Sequence, residues 1–245
     1  MRNFELLTAA CACAVCIAVT PCQISLHQTV QAFSDVATVN SVILQKTAHG
    51  GAEYLSKIVF LGDSRTYGLK AFAMLEGGED TTKVWTPKNG TMSIWDMQFQ
   101  EVVHPTSGVE MTSAEAAAVD KPEILIISLG FNGFEMVGKE YFVSEYVKLI
   151  ESIKAVSPVT KIILQSMFPV CRSYTYIDNG AINEGNGWIM EIAESTGCFY
   201  LNTAEVLCDS DGYLIEDYSS DGCHLTPLGL DVQIEYICTH MIGDN

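Results

Sequence analysis

A serine near the start of the chain and an aspartate and a histidine near its end are the side chains needed for acyl transfer. Ser64 follows the apolar run 58–61 and Gly62, whereas Asp221 and His224 lie three positions apart, just before a helix start. In such a set the imidazole takes the serine proton, and the carboxylate orients the imidazole and stabilises its charged form. We predict that Ser64 is the nucleophile, His224 the general base and Asp221 the residue that orients this base.

Four short motifs, taken in order, resemble the signature blocks of the SGNH (GDSL-type) hydrolases. They are Gly-Asp-Ser at 62–64, the glycine of Lys-Asn-Gly-Thr at 88–91, the asparagine of Gly-Phe-Asn-Gly at 130–133, and Asp-x-x-His at 221–224. The resemblance implies an acyl-serine mechanism that needs no cofactor and no metal. It also implies an oxyanion site formed by the backbone amides of Ser64 and Gly90 and the side-chain amide of Asn132.

Two positions depart from the family pattern. Arg65 follows the serine where many members carry an apolar residue, and Gly133 follows the asparagine where many carry aspartate. Neither change removes a catalytic group. Both leave the substrate class open. The string around Ser64 is not a G-x-S-x-G elbow, which argues against an ordinary α/β-hydrolase. Asp63 is interpreted as a structural hydrogen-bond acceptor.

The elements that must position these residues alternate between short apolar runs and helical patterns. Continuous hydrophobicity within a run is typical of a strand buried on both faces of a parallel sheet. We predict a flavodoxin-like α/β fold, a three-layer α/β/α sandwich with a mainly parallel five-stranded sheet. The predicted strands are 58–61, 84–85, 124–128, 161–166 and 198–201, and helical signals lie at 112–115 (a capping box), 142–156 and 226–241.

The order of these elements brings distant residues together. In an open parallel sheet, binding sites form at the carboxyl ends of the strands. Ser64, Gly90 and Asn132 follow the first, second and third predicted strands, so we expect all three at one edge of the sheet.

The composition limits the classes of partner. The chain has 245 residues, of which 48% are hydrophobic, which is enough for one sizeable core. Its net charge of -17 repels phosphate backbones, so nucleic acid is not an expected partner.

The N-terminus has the pattern of a secretory signal. The apolar run 6–19 has the length of a signal-peptide core, and small residues near position 32 offer a cleavage site. We therefore expect a secreted or extracytoplasmic protein, with an uncleaved membrane anchor as the alternative. The predicted division is 1–32 signal peptide or anchor, 33–56 lead-in segment and 57–245 hydrolase domain.

Five of the nine cysteines lie outside this leader, an odd number, so at least one is unpaired or pairs between chains. None has the C-x-x-C spacing of a zinc site, so we expect no metal. A disulfide between Cys171 and Cys223 is one hypothesis, because both should lie at the carboxyl edge of the sheet. Cys198 with Cys208 is a competing pair, and two buried free thiols are the other alternative.

The combined interpretation is a serine esterase or acylhydrolase that cleaves carboxylic esters, with short acyl groups on carbohydrate or cell-wall material as the favoured substrates. The expected partner is a small-molecule or polysaccharide ester, and membrane contact is expected only through the N-terminal segment. Two alternatives stay open, a non-catalytic glycan-binding module and an acyltransferase that uses a sugar as acceptor.

Overall fold

The central feature is a five-stranded, fully parallel sheet, seen in a computed structural model that describes residues 42–243. The predicted leader and the first part of the lead-in segment lie outside the described residues. The sheet order is β2-β1-β5-β6-β7, and a separate antiparallel hairpin is formed by β3 and β4. The strands are β1 (Ile58–Gly62), β2 (Val84–Trp85), β3 (Glu101–Val103), β4 (Glu110–Thr112), β5 (Ile124–Ser128), β6 (Lys161–Gln165) and β7 (Phe199–Leu201).

Helices connect the strands and cover both faces of the sheet. They are α1 (Gly51–Ser56), α2 (Ser64–Ala71), α3 (Ser113–Asp120), α4 (Lys139–Val156), α5 (Asn179–Thr196), α6 (Ala204–Leu207) and α7 (Pro227–Cys238). Short 3-10 turns lie at Gly78–Asp80, Met97–Phe99, Phe134–Met136 and Glu216–Tyr218. The predicted capping box is present at the start of α3, where Thr112 and Glu115 exchange hydrogen bonds.

Two apolar cores lie on opposite faces of the sheet, because successive residues of a strand point to opposite sides. One core joins Leu61 and Ile127 to residues of α3, α4 and α5, such as Tyr146. The other joins Phe60 and Ile126 to residues of α1, α2, α6 and α7. The predicted three-layer α/β/α sandwich with a parallel five-stranded sheet is confirmed.

The sequence patterns predict neither the β3–β4 hairpin nor α5. Part of the predicted lead-in also belongs to the packed fold, because Ile43 bridges to Tyr200 of β7, and Leu44 and Tyr54 are buried in a core. No helix within residues 42–243 combines the length and apolar character that crossing a membrane requires.

The register of the sheet sets the position of the site. Gly62 at the end of β1 pairs with Ser128 at the end of β5. The segments that follow these two strands therefore leave the same edge of the sheet side by side, and they carry Ser64 and Asn132.

Candidate active site

The three residues predicted for acyl transfer form one continuous hydrogen-bonded line. The Oγ atom of Ser64 lies 2.9 Å from Nε2 of His224, and Nδ1 of His224 lies 2.7 Å from Oδ2 of Asp221. One imidazole nitrogen thus faces the hydroxyl and the other faces the carboxylate. This is the geometry in which a serine hydroxyl loses its proton to an oriented general base.

A tight turn before α7 holds the carboxylate and the imidazole together. The Oδ1 atom of Asp221 accepts the backbone N–H groups of Cys223 at 2.9 Å and His224 at 2.8 Å, which leaves Oδ2 for the imidazole. Gly222 has a φ of 84° in the left-handed region, and a Cβ atom there would lie 3.0 Å from Cβ of Tyr174. The turn therefore needs glycine at this position.

The same turn keeps Asp221 charged. Partial burial raises the pKa of this carboxyl. Hydrogen bonds from the backbone of His224 and Cys223 and from the imidazole lower it by more, so the pKa lies well below its usual range. At neutral pH the side chain is therefore a carboxylate that only accepts hydrogen bonds. Such a group fixes the Nδ1–H tautomer of His224 and stabilises its protonated form.

Ser64 is the first residue of α2, and its neighbour Asp63 caps the helix. Asp63 accepts the backbone N–H of Arg65 at 3.0 Å, as an N-cap residue does. The serine hydroxyl is thereby left free for chemistry. The backbone N–H of Ser64 has no hydrogen-bond partner among residues 42–243, so a helix N-terminal donor is available beside the Ser64 hydroxyl.

Asn132 reaches the site from the loop after β5 and is held by Asp63. Its Nδ2 atom donates to Oδ2 of Asp63 at 2.7 Å and makes a longer contact of 3.4 Å with the carbonyl of Met92. The second hydrogen is only weakly held at that distance and can serve a developing oxyanion. Asp63 is thus a hydrogen-bond acceptor, as predicted, and burial raises its pKa despite the opposing effects of the Arg65 backbone N–H and guanidinium charge.

Gly90 also lies against Ser64. A Cβ atom on Gly90 would lie 3.6 Å from Cβ of Ser64. Its backbone N–H, however, donates to the carbonyl of Pro87 at 2.9 Å, because the segment closes on itself as a turn. The predicted third oxyanion donor therefore lies beside Ser64, but its N–H is already engaged in this conformation.

The glycine that stands in place of the family aspartate has a steric reason. Gly133 has a φ of 94°, and a Cβ atom there would lie 2.6 Å from the ring of Trp95. A side chain at this position would displace the Trp95 ring beside the Asn132 loop.

Arg65, noted from the sequence only as a departure, is buried behind Ser64. Its side chain is 5% exposed, and its guanidinium packs between the rings of Phe131 and Phe168. A sequence signal for this burial exists, since Arg65 and the buried Leu69 are four residues apart and so share one face of α2.

The hypothesis of a Cys171–Cys223 disulfide is wrong for this structure, in which both thiols are free. Their placement is as expected, since the backbone N–H of Cys171 donates to the carbonyl of Gly222 at 2.9 Å. Both thiols are buried, and burial raises the pKa of Cys171 to about 11. Cys198 and Cys208 are also free.

Among the described residues, no group of three or more His, Cys, Asp or Glu side chains is placed to hold a metal ion.

Comparisons with known proteins identify a family. Residues 60–232 match the model of the GDSL-like Lipase/Acylhydrolase family. The sequence matches no curated protein.

Solved structures with the same fold are distant in sequence. One is a Desulfitobacterium hafniense protein provisionally named a lipolytic protein of the G-D-S-L family, with 22% identity, a TM-score of 0.53, and coverage of 75% of this chain and 98% of that one. Another is a Streptococcus pneumonia protein provisionally named a platelet activating factor, with 16% identity, a TM-score of 0.50, and coverage of 86% and 97%. A third is a provisionally named GDSL-like lipase from Parabacteroides merdae, with 15% identity, a TM-score of 0.50, and coverage of 73% and 92%.

Proposed function

Because the chain belongs to the GDSL-like lipase/acylhydrolase family, we propose that it hydrolyses carboxylic esters through an acyl-serine intermediate. The observation that carries this proposal is the unbroken line of hydrogen bonds from Ser64 through His224 to Asp221. A protein that only binds glycans has no chemical need for this arrangement.

The reaction proceeds in two halves. The Oγ atom of Ser64 attacks the ester carbonyl while Nε2 of His224 accepts its proton, and Asp221 stabilises the imidazolium. The tetrahedral oxyanion is met by the backbone N–H of Ser64 and by Nδ2 of Asn132. Gly90 adds a third donor if its turn opens and releases Pro87.

Collapse of this intermediate breaks the ester bond, and His224 returns the proton to the departing alcohol. Water then enters, loses a proton to His224 and attacks the acyl carbon, which releases the acid and restores Ser64. The side chains of His224 and Asp221 are 46% and 53% exposed, so solvent has direct access for this second step.

We further propose that the substrate carries a short acyl group on a carbohydrate. A cavity of about 410 Å³ adjoins the Gly90 loop, and apart from Pro87 its lining side chains are polar. Hydroxyl-rich groups can exchange hydrogen bonds with such walls, whereas a long acyl chain gains little from them. The lining consists of Pro87, Lys88, Asn89, Thr91, Gln100, Glu101 and Glu110.

We also propose that the enzyme works outside the cytoplasm. The support is the apolar run 6–19 with small residues near position 32, the pattern of a cleaved signal peptide. The N-terminal sequence of the secreted protein tests this, and a mature chain that still begins at Met1 would contradict cleavage.

A panel of p-nitrophenyl esters of increasing acyl length, together with acetylated oligosaccharides, tests the activity. We expect turnover that is highest for acetyl esters and abolished in Ser64→Ala. Unaltered turnover in Ser64→Ala would contradict the mechanism, and a preference that rises with chain length would contradict the carbohydrate ester. Appearance of acylated acceptor sugar in place of free acid would identify the protein as an acyltransferase.

The polar cavity can be tested within the same panel. Glu101→Ala removes an exposed cavity side chain that makes no hydrogen bond with another described side chain. We expect a raised KM for acetylated oligosaccharides and an unchanged KM for p-nitrophenyl acetate. Glu151→Ala, on the exposed face of α4, is the matched control. Equal KM values for acetylated oligosaccharides in the wild type, Glu101→Ala and Glu151→Ala would exclude Glu101 from sugar binding.

A further inference from the structure

Arg65 is a buried cation that the reaction scheme does not use. Its guanidinium carbon lies 4.2 Å from the ring centroid of Phe131 and 4.4 Å from that of Phe168. Its Nη2 atom donates to the carbonyls of Phe168 and Pro169 at 3.1 and 3.2 Å. The Nε atom is buried without a partner among the described residues.

Burial of a charge is costly, and this one is not paired by a salt bridge to any carboxylate within residues 42–243. The cost is offset by the faces of two aromatic rings, two carbonyl groups and the charges of Asp63 and Asp221 nearby. An apolar residue would fill the same space without this cost. A charge retained beside a reactive site therefore indicates a functional demand on it.

The contacts of Arg65 join the segments that carry the reacting groups. Arg65 itself follows Ser64, and Phe131 directly precedes Asn132. Phe168 and Pro169 belong to the segment after β6, and two residues further on Cys171 bonds to Gly222 in the catalytic turn. One planar cation, next to Ser64 in the chain, thus contacts the residue before Asn132 directly. It is linked to the turn that carries His224 through the segment 168–171.

The charge of Arg65 also acts on the group that holds Asn132. Both oxygens of Asp63 accept N–H donors, Oδ1 from the Arg65 backbone and Oδ2 from Asn132, an arrangement suited to the carboxylate form. A protonated Asp63 would instead donate a hydrogen bond. The asparagine amide would then turn its oxygen toward Asp63 and its nitrogen away. A nearby positive charge favours the carboxylate.

We propose that Arg65 is a positioning residue of the oxyanion site, which acts by clamping the Phe131 and Phe168 loops and by keeping Asn132 turned with its amide nitrogen toward Asp63. The inference rests on the proposed ester hydrolysis but concerns a residue that the reaction scheme does not use. Its consequence is confined to the transition state, since Arg65 is buried and does not reach a bound substrate.

A double-mutant cycle between Arg65 and Asn132 tests this directly. Arg65→Met keeps the length and apolar contacts but removes the charge and the planar fork, and we expect kcat to fall on the order of tenfold or more with little change in KM. In an Asn132→Ala background the same change should cost much less, because the donor that Arg65 positions is already absent. Arg65→Lys, which restores the charge alone, should recover part of kcat.

The number of reactive sites in each sample is found by complete titration with a fluorophosphonate, and kcat is calculated per reactive site. The rate of this labelling is a second readout, which needs no known substrate. Arg172→Met is the matched control, because Arg172 also packs on an aromatic ring, at 4.4 Å from Tyr213, but is half exposed. We expect it to leave kcat and labelling unchanged. If Arg65→Met does not fold, Phe131→Leu removes one aromatic face and should give a smaller loss of kcat that is again non-additive with Asn132→Ala.

Two results overturn the inference while leaving ester hydrolysis intact. One is an active wild type whose kcat is unchanged by Arg65→Met. The other is a loss that adds fully to that of Asn132→Ala, which would show that the two residues act independently. Failure of the wild type to hydrolyse esters or to react with the fluorophosphonate at Ser64 would instead reject the proposed function itself.

Discussion

The turn at 221–224 and the largely buried cluster of Asp63, Arg65 and Asn132 both hold groups of the proposed mechanism, but they are built in opposite ways. The turn is local and half exposed, and backbone amides two and three residues away fix its carboxylate. The buried cluster joins two distant segments, and its aspartate is 2% exposed. In the proposed mechanism, local hydrogen bonds thus place the general base, whereas contacts with the core orient the oxyanion donor.

The two aspartates allow the sharpest test, and Asp221→Ala should give the largest effect. Loss of this carboxylate frees the imidazole to adopt the wrong tautomer, so we expect kcat to fall on the order of a thousandfold or more. The urea midpoint should change little, because water can replace the carboxylate in an exposed turn. A large loss of stability with kcat retained per folded protein would show that Asp221 supports the fold and not the reaction.

Asp63→Ala should instead mainly destabilise the fold. It removes the N-cap of α2 and leaves the half-buried Asn132 amide without its closest acceptor, which together cost about 2 to 3 kcal/mol of unfolding free energy. Urea unfolding measures this cost. The cap variant Thr226→Ala should cost less, because the Thr226 hydroxyl makes only two long hydrogen bonds, from the Gly229 N–H at 3.5 Å and to the Asp217 carbonyl at 3.2 Å. Equal costs for the two variants would show that the Asp63–Asn132 bond adds no stability.

The pH dependence of stability should differ in sign between the two aspartates. Hydrogen bonds hold the pKa of Asp221 below its usual range, so its contribution is present above about pH 4 and lost as the pH falls below that value. Burial raises the pKa of Asp63, so its contribution is greatest below about pH 4 and declines as the pH rises through the raised value.

Melting temperatures of the wild type and the two alanine variants between pH 3 and 8 measure these contributions. On acidification the advantage of the wild type over Asp221→Ala should shrink, and its advantage over Asp63→Ala should grow. Parallel trends for the two variants would contradict the opposite shifts.

The sequence predicts the locally encoded parts of this molecule well. The strands are continuous apolar runs, and the Asp-x-x-His spacing with an intervening glycine already implies a turn that joins two side chains. Ser64 and Asn132 could be placed at one edge because parallel strands end together. The hydrogen bond between Asp63 and Asn132 could not be predicted from local patterns, since it joins residues 69 positions apart.

Helix α5 shows why other parts could not be predicted. It contains three glycines at 180, 185 and 187, which disfavour a helix in isolation. Tertiary contacts stabilise it, because Asp178 caps its start and Asn186 bonds to both backbone groups of Met167. Gly185 is required by packing, since a Cβ atom there would lie 2.5 Å from Met167. The Gly90 donor illustrates the same limit, because its turn engages the amide that the motif implies is free.

The central claim is that Ser64 is the nucleophile, activated by His224. Treatment with a fluorophosphonate, followed by peptide mass spectrometry, tests it most directly. We predict one phosphonylated residue, Ser64, in the wild type, very slow labelling in His224→Ala and none in Ser64→Ala. Equal labelling of the wild type and Ser64→Ala, or modification of another serine in the wild type, would contradict the account.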